Sequence, residues 1–319
     1  PKIPLAYMPL INVLCDVKVW ILLGVVLALG IGFDNPNAST ILMFVLIAQM
    51  AVSLDGIQFH RDDFKHYDKE IVISLLCCFG FNTLLTLACG LLFIDDSHLW
   101  TGWVMLSSVP CGVSVVVASL VMRGDTKMCV LSLTVIYICA IGLTPLITKT
   151  LLGDSVNPLE VLKYILLFIV VPFGLSFLVK RLHLKSVPKS VFINVMMLFM
   201  VFIGLGSRRD FIFSDSDVVM LLIGACLIRI FAASFILLYM MKRAGVRRDN
   251  AVVYLSMAAW KNSGMSISMT MALFAATMPD AVLPCVVSLV MEAAWFALMS
   301  KAIEKIWPVP ASEEAIPVS

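Results

Sequence analysis

Charge is scarce in this chain. Lys, Arg, Asp and Glu make up 14% of its 319 residues, where about 25% is usual for a soluble domain. A soluble fold of this length needs a polar surface, and 23 Lys/Arg with 21 Asp/Glu are too few to make one. No loop is long enough for a soluble domain; the longest polar connection lies around residues 60–69. No GxxxxGK[ST] phosphate loop is present, which argues against direct use of ATP. No basic stripe or aromatic platform appears, and the net charge is only +2, so nucleic acid is not an expected partner. The four histidines lie in or near loops and form no spaced cluster with metal-ligand geometry; neither a metal nor a cofactor is expected. There is no CxxC. The nine cysteines are odd in number and lie mostly inside apolar runs, as reduced, small apolar side chains do. Nothing resembles a Ser/His/Asp or Cys/His nucleophile, so no enzyme is expected.

What the chain has instead is apolar length. Hydrophobic residues make up 61%, and the mean hydropathy is +1.01. The runs are continuous and close to the ~20 residues that a helix needs to cross the hydrocarbon core, unlike the short alternating segments of a membrane barrel. Ten segments are predicted, at 17–33, 39–57, 70–94, 99–122, 128–152, 158–179, 188–207, 218–241, 251–277 and 281–306. Basic residues near membrane ends favour the cytoplasm. Seventeen Lys/Arg fall on one side of this layout and four on the other, while Asp34, Asp95, Asp96, Asp154, Asp210, Asp215, Asp217 and Asp280 share the second side. The expected protein is therefore an all-α, multi-pass protein of the cell membrane with both termini cytoplasmic. Residues 1–152 read as a first five-helix repeat, 153–307 as a second, inverted one, and 308–319 as a disordered C-terminal tail.

Polar residues interrupt two of these segments at matching places. The fourth carries Ser107, Ser108, Pro110, Cys111, Gly112 and Ser114; the ninth carries Trp260, Lys261, Asn262, Ser263, Gly264 and Ser266. Each is the fourth segment of a block of five. Paired discontinuous helices in two halves point to the binding site of a secondary transporter, because broken ends expose backbone donors and acceptors near the midplane. Lys261 lies ten residues inside its segment, too deep to reach water easily, and such a charge faces a cavity or a partner. Glu292 and Asp55 are its candidate partners, and Arg229 is a further deep charge. Asn82 lies within the third segment as either a pore-lining amide or a helix-to-helix hydrogen bond. Substrate binding or coupling is expected at Pro110, Cys111, Gly112, Ser114, Lys261, Asn262, Ser263 and Gly264, with Asn82 and Glu292.

At these residues the sequence resembles the bile acid:sodium symporter family. Pro110-Cys111-Gly112 and Arg123-Gly124-Asp125 are similar to that family's Pro-Gly-Gly and Arg-Gly-Asn, and Lys261-Asn262-Ser263-Gly264 is similar to its Gln-Asn-Ser-Gly. Ser53-Leu54-Asp55-Gly56-Ile57 with Asp63-Phe64 resembles the end of its second span, so the likeness covers nearly the whole chain. The resemblance implies a panel domain and a core domain, with two crossed broken helices in the core, and transport of organic anions with sodium. Residue by residue it also implies a loss. Family sodium ligands fall here at Val115, Val116, Cys129, Leu133 and Met257; a family glutamine falls at Lys261 and another near Asn82. The two valines, the leucine and the methionine supply no side-chain oxygen for sodium.

The arsenite efflux permeases offer a second likeness, through Pro110-Cys111 and Gly124-Asp125, but their acidic residue after the ninth-span asparagine has no counterpart in 265–270. The expected function is a secondary active transporter of a small organic anion, a carboxylate or sulfonate, working by alternating access. It is expected to be sodium-independent, with Lys261 as its cation and as a carrier of coupled protons. The alternatives are a sodium-coupled symporter using backbone ligands, an arsenite-type permease, or a channel or sensor. The lipid bilayer is the other expected partner, and the sequence leaves the oligomeric state open.

Overall fold

The computed structural model describes residues 13–54 and 66–308, and among them every regular element is helical. Thirteen helices are considered: α1 (Val17–Ile31), α2 (Ala38–Leu54), α3 (Asp68–Phe93), α4 (Ser97–Ser108), α5 (Ser114–Val121), α6 (Thr126–Leu152) and α7 (Pro158–Arg181). Then follow α8 (Ser186–Gly206), α9 (Arg209–Ser214), α10 (Ser216–Arg243), α11 (Arg248–Ala259), α12 (Ser263–Phe274) and α13 (Val282–Ile306). The ends follow from local chemistry. Asp16, Asp96, Asp125 and Asn157 each accept a hydrogen bond from the first turn of the helix that follows, and Pro158 takes a first-turn position in α7. Gly32 and Gly153, at φ 75° and 57°, end α1 and α6 in a conformation that disfavours any other side chain.

α3, α7, α8 and α10, together with the longer stretches Thr126–Ser155 and Pro279–Ile306 that contain α6 and α13, give six helices long and apolar enough to cross a bilayer. α1 and α2 are shorter and equally apolar. Leu22, Phe44, Leu84 and Leu159 are each more than 60% exposed on these helices, which suits a surface solvated by lipid. The chain is thus a polytopic α-helical membrane protein. α1, α2, α7 and α8 pack chiefly on one another, and the remaining long helices surround the two pairs α4/α5 and α11/α12.

The predicted segments 99–122 and 251–277 are each two helices. Val109 to Val113 separate α4 from α5, and Trp260 to Asn262 separate α11 from α12. The short α9 and two π-helical turns, Leu76–Asn82 within α3 and Ile228–Ala232 within α10, add detail that apolar length does not encode. Asp55, the Gly56-Ile57 and Asp63-Phe64 positions, and residues 309–319 of the predicted tail lie outside the described residues.

Close backbone approach fixes where the broken helices sit against α13. A Cβ on Gly102 of α4 would lie 2.1 Å from the Ala281 carbonyl oxygen and 2.9 Å from the Pro284 ring, whereas one on Gly80 meets nothing within 4 Å. Gly102→Ala is therefore expected to destabilise the fold by about 1–3 kcal/mol through overpacking. Gly80→Ala is expected to leave the melting temperature of the detergent-solubilised protein nearly unchanged. Equal melting temperatures for both variants would refute this packing.

Candidate functional site

The two breaks meet directly. The backbone N–H of Asn262 donates to the Pro110 carbonyl at 2.7 Å, and a Cβ on Gly112 would stand 3.4 Å from the Lys261 carbonyl oxygen. Proline supplies no N–H of its own and glycine no side chain, so both residues let two unwound stretches approach to hydrogen-bonding distance. Asn262 secures the second break. Its Oδ1 accepts from the Met265 N–H as the N-cap of α12, and its Nδ2 donates to the Tyr137 hydroxyl on α6 at 2.9 Å.

Lys261 is 1% exposed. Its Nζ donates toward four oxygens: the carbonyls of Ser107 at 2.8 Å, Val109 at 3.0 Å and Cys78 at 3.1 Å, and the Thr83 hydroxyl at 3.0 Å. Ser107 is in the last turn of α4, whose carbonyls have no helical donor, and Val109 lies in the break. The ammonium thus occupies the negative end of the α4 dipole. Cys78 lies in the π turn of α3, where the usual i→i−4 ladder is interrupted. The Phe79 ring centroid is 5.1 Å from Nζ. Among the described residues no carboxylate reaches ion-pair distance of this ammonium.

Glu292 meets Lys261 at its backbone instead. Oε1 accepts from the Lys261 N–H and from Arg229 Nη2, each at 3.1 Å, and from Ser288; Oε2 accepts from the Ser263 hydroxyl at 2.7 Å. The carboxylate therefore stands at the N-terminal end of α12, where negative charge is favoured. Arg229, itself 1% exposed, lies in the π turn of α10 and also donates to Asn82 Oδ1 at 3.1 Å and to Ser288. With Arg229 and Glu292 paired, the cluster keeps the single positive charge of Lys261.

A narrow polar cavity of about 40 Å³ opens at the crossing, bordered by Gly112, Ser114, Lys261, Asn262, Ser263, Gly264 and Glu292. A larger, mostly apolar cavity of about 290 Å³ adjoins it through Ser114, Met197, Trp260 and Leu289 and extends to Asp16 and Lys18. Gly264 admits the approach of α8: a Cβ there would stand 2.9 Å from the Met200 sulfur. Cys111 and Asn82 border neither cavity. Both are fully buried; the Cys111 thiol lies 3.1 Å from the Met257 sulfur, and Asn82 serves Arg229 and Thr86.

Several contributors escape a reading by residue type. The Cys78, Ser107 and Val109 carbonyls are backbone groups with no sequence signature. Gln49 and Ser53 of α2 border the polar cavity, and a lone amide in an apolar run is the signal that would have found Gln49. Trp260 borders both cavities and packs on Trp295 and Phe296, with ring centroids 5.7 and 5.6 Å away. At the positions where the resemblance places sodium ligands, Val115, Cys129 and Met257 are fully buried and Leu133 nearly so, and the Cys129 thiol points at the Val115 carbonyl. No group of three or more His, Cys, Asp or Glu with metal-binding geometry occurs among the described residues.

Removing one member of a buried ion pair strands the other. Glu292→Gln is expected to destabilise the protein by about 3–5 kcal/mol, read as a fall in melting temperature in detergent. The double variant Arg229→Met/Glu292→Gln is expected to recover part of that loss, because no unpaired charge remains. A double variant no more stable than Glu292→Gln alone would contradict this assignment.

No curated protein matches the chain. Its residues 40–214, more than half of its length, match the model of the sodium bile acid symporter family, whose members are transporters. With two broken helices crossing at a polar cavity and a match of that extent, the chain belongs to the sodium bile acid symporter family.

Proposed function

We propose that this protein is a sodium-independent secondary transporter of a small organic anion, a carboxylate or sulfonate, in which Lys261 is a built-in cation. The observation that carries this reading is the Lys261 ammonium among three carbonyls and one hydroxyl at 2.8–3.1 Å. Carbonyl and hydroxyl oxygens in such a shell are what a bound alkali cation requires. A tethered ammonium meets the same oxygens without a mobile ion. The cluster's surplus positive charge, beside a cavity bordered by Ser114 and Ser263, favours an anionic cargo. All three N–H groups of the ammonium find oxygen within the protein, which supports a fixed charge in preference to a proton carrier. Cys111 packs on Met257 away from the cavities, which weighs against a metalloid-binding thiol.

The membrane layout that goes with this reading has ten spans in two inverted five-span repeats, in the cell membrane with both termini cytoplasmic. α1, α2 and the pairs α4/α5 and α11/α12 join the six long helices as spans. Three correspondences support the repeat. The third span of each block, α3 and α10, carries a π turn. The fourth of each block is broken. The start of each broken helix also meets the end of the other: Asp125 N–H donates to the Asp249 carbonyl and Arg248 to those of Met122 and Arg123. On the opposite face Thr101 meets the Met278 sulfur and His98 meets Asp280. In this layout the apolar cavity, reaching Asp16 and Lys18, opens toward the cytoplasm.

The test is uptake of a panel of labelled carboxylates and sulfonates into proteoliposomes, with sodium replaced by choline at constant ionic strength. Uptake of the transported anion is expected to be unchanged by the replacement and to persist in Lys261→Arg, which keeps a fixed charge. Uptake abolished by removing sodium would overturn the sodium-independent reading, and loss of pH-driven uptake in Lys261→Arg alone would return Lys261 to a proton-carrying role.

A further inference from the structure

On the face opposite the basic loops, three charged or titratable side chains from three elements converge outside the crossing. His98, in the first turn of α4, places Nδ1 3.2 Å from Asp280 Oδ2. Arg208, just past α8, places Nη1 3.6 Å from the other oxygen, Asp280 Oδ1. Asp280 belongs to the Pro279–Ala281 turn that leads into α13, and its side chain is 19% exposed. One carboxylate therefore links the crossed-helix group, through α4 and the turn, to α8 of the other group. Asp34, in the α1–α2 connection, borders the same two cavities as Arg208, of about 510 and 670 Å³. Arg209 and Asp210 follow Arg208; Arg209 Nε donates to the Leu29 carbonyl at 2.7 Å and its guanidinium lies over the Phe213 ring. Asp95 and Asp96 precede α4, and Asp96 is held as its N-cap, accepting from the His98 and Leu99 N–H groups.

We propose that His98, Asp280 and Arg208 form a pH-responsive latch between α8 and the crossed-helix group on the face away from the basic loops. Histidine is the side chain whose charge changes between about pH 5 and pH 8. With a neutral imidazole, Asp280 carries a full negative charge toward Arg208 and the latch holds. A protonated imidazole adds a second cation to the same carboxylate. The His98–Asp280 pair is then neutral overall, its attraction for Arg208 falls, and Asp34 becomes the better partner for the guanidinium. Acid thus loosens α8 from the 279–281 turn. On the opposite face Arg248, charged at all pH values, holds the carbonyls of Met122, Arg123 and Trp307. The gating role of the latch rests on the transporter reading; its pH response does not.

The latch is tested by distance rather than transport. Spin labels are placed at Ser214→Cys and Thr277→Cys, both exposed, one on α9 and one beside the turn. The half-buried Cys15 and Cys139 are replaced by alanine. Pulsed dipolar spectra are recorded in nanodiscs at about pH 5.5 and about pH 8.5, near and beyond the ends of histidine's range. The fraction of long distances is expected to be at least about twofold larger at the lower pH. His98→Gln is expected to hold the short distribution at both pH values. His98→Arg and Asp280→Asn are expected to hold the long one at both. Identical wild-type distributions at the two pH values, or a pH shift that survives in His98→Gln, would overturn the proposal. Both faces of a nanodisc share one pH, so neither a wrong membrane orientation nor failure of the transport reading can produce either result.

Discussion

The contact between the Lys261 ammonium and the carbonyl end of α4 is the interaction on which the centre of this protein depends. A helix that stops inside a packed interior leaves carbonyls with neither a helical donor nor water. Here one side chain from the second break serves the Ser107 carbonyl in the last turn of α4 and the Val109 carbonyl in the first break, and reaches Cys78 in the π turn of α3. Thr144 on α6 supplies the hydroxyl for the Ser108 carbonyl between them. The break in α4/α5 is thus sustained from outside its own helix, and the breaks are tied together by the same residue that charges the site.

Electrostatic order follows from that arrangement. The cation stands at a helix C-terminus, and the Glu292 carboxylate stands at the N-terminal end of α12. Arg229 neutralises Glu292 from the π turn of α10, and Asn82 reaches Arg229 from the π turn of α3. Each deep charge therefore has either a partner or a helix end, and the site as a whole remains positive by one. Family membership speaks for transport, and this surplus charge speaks for the sign of the cargo. Sulfur and aliphatic side chains stand at Cys129, Val115 and Met257, while the Lys261 ammonium is ringed by four oxygens.

Much of this was legible in the order of residues, and the remainder was not for physical reasons. The breaks stood out because Pro110 with Gly112, and Lys261 with Asn262 to Gly264, interrupt apolar runs with residues that either loosen helices or carry polarity. Lys261 itself was visible as a charge too deep to reach water. Its surroundings were not, because three of its four oxygens belong to the backbone and any sequence would supply them. Glu292 was expected near Lys261 and is, but through a backbone N–H, while its charge goes to Arg229. Asn82 read equally well as a pore-lining amide or a helix-to-helix bond, and the π turn that aims it at Arg229 has no compositional mark. His98 and Asp280 are 182 positions apart, and only the fold brings them together.

The most direct test of the central claim is the thermal stability of purified Lys261→Ala in detergent, measured in choline, sodium, potassium and ammonium chlorides at equal ionic strength. If the lysine is a tethered cation in an oxygen shell, its removal leaves that shell open to a small free cation. Ammonium or an alkali cation should then raise the variant's melting temperature relative to choline, while the wild type responds to none of them. A variant that melts at one temperature in all four salts would contradict the account.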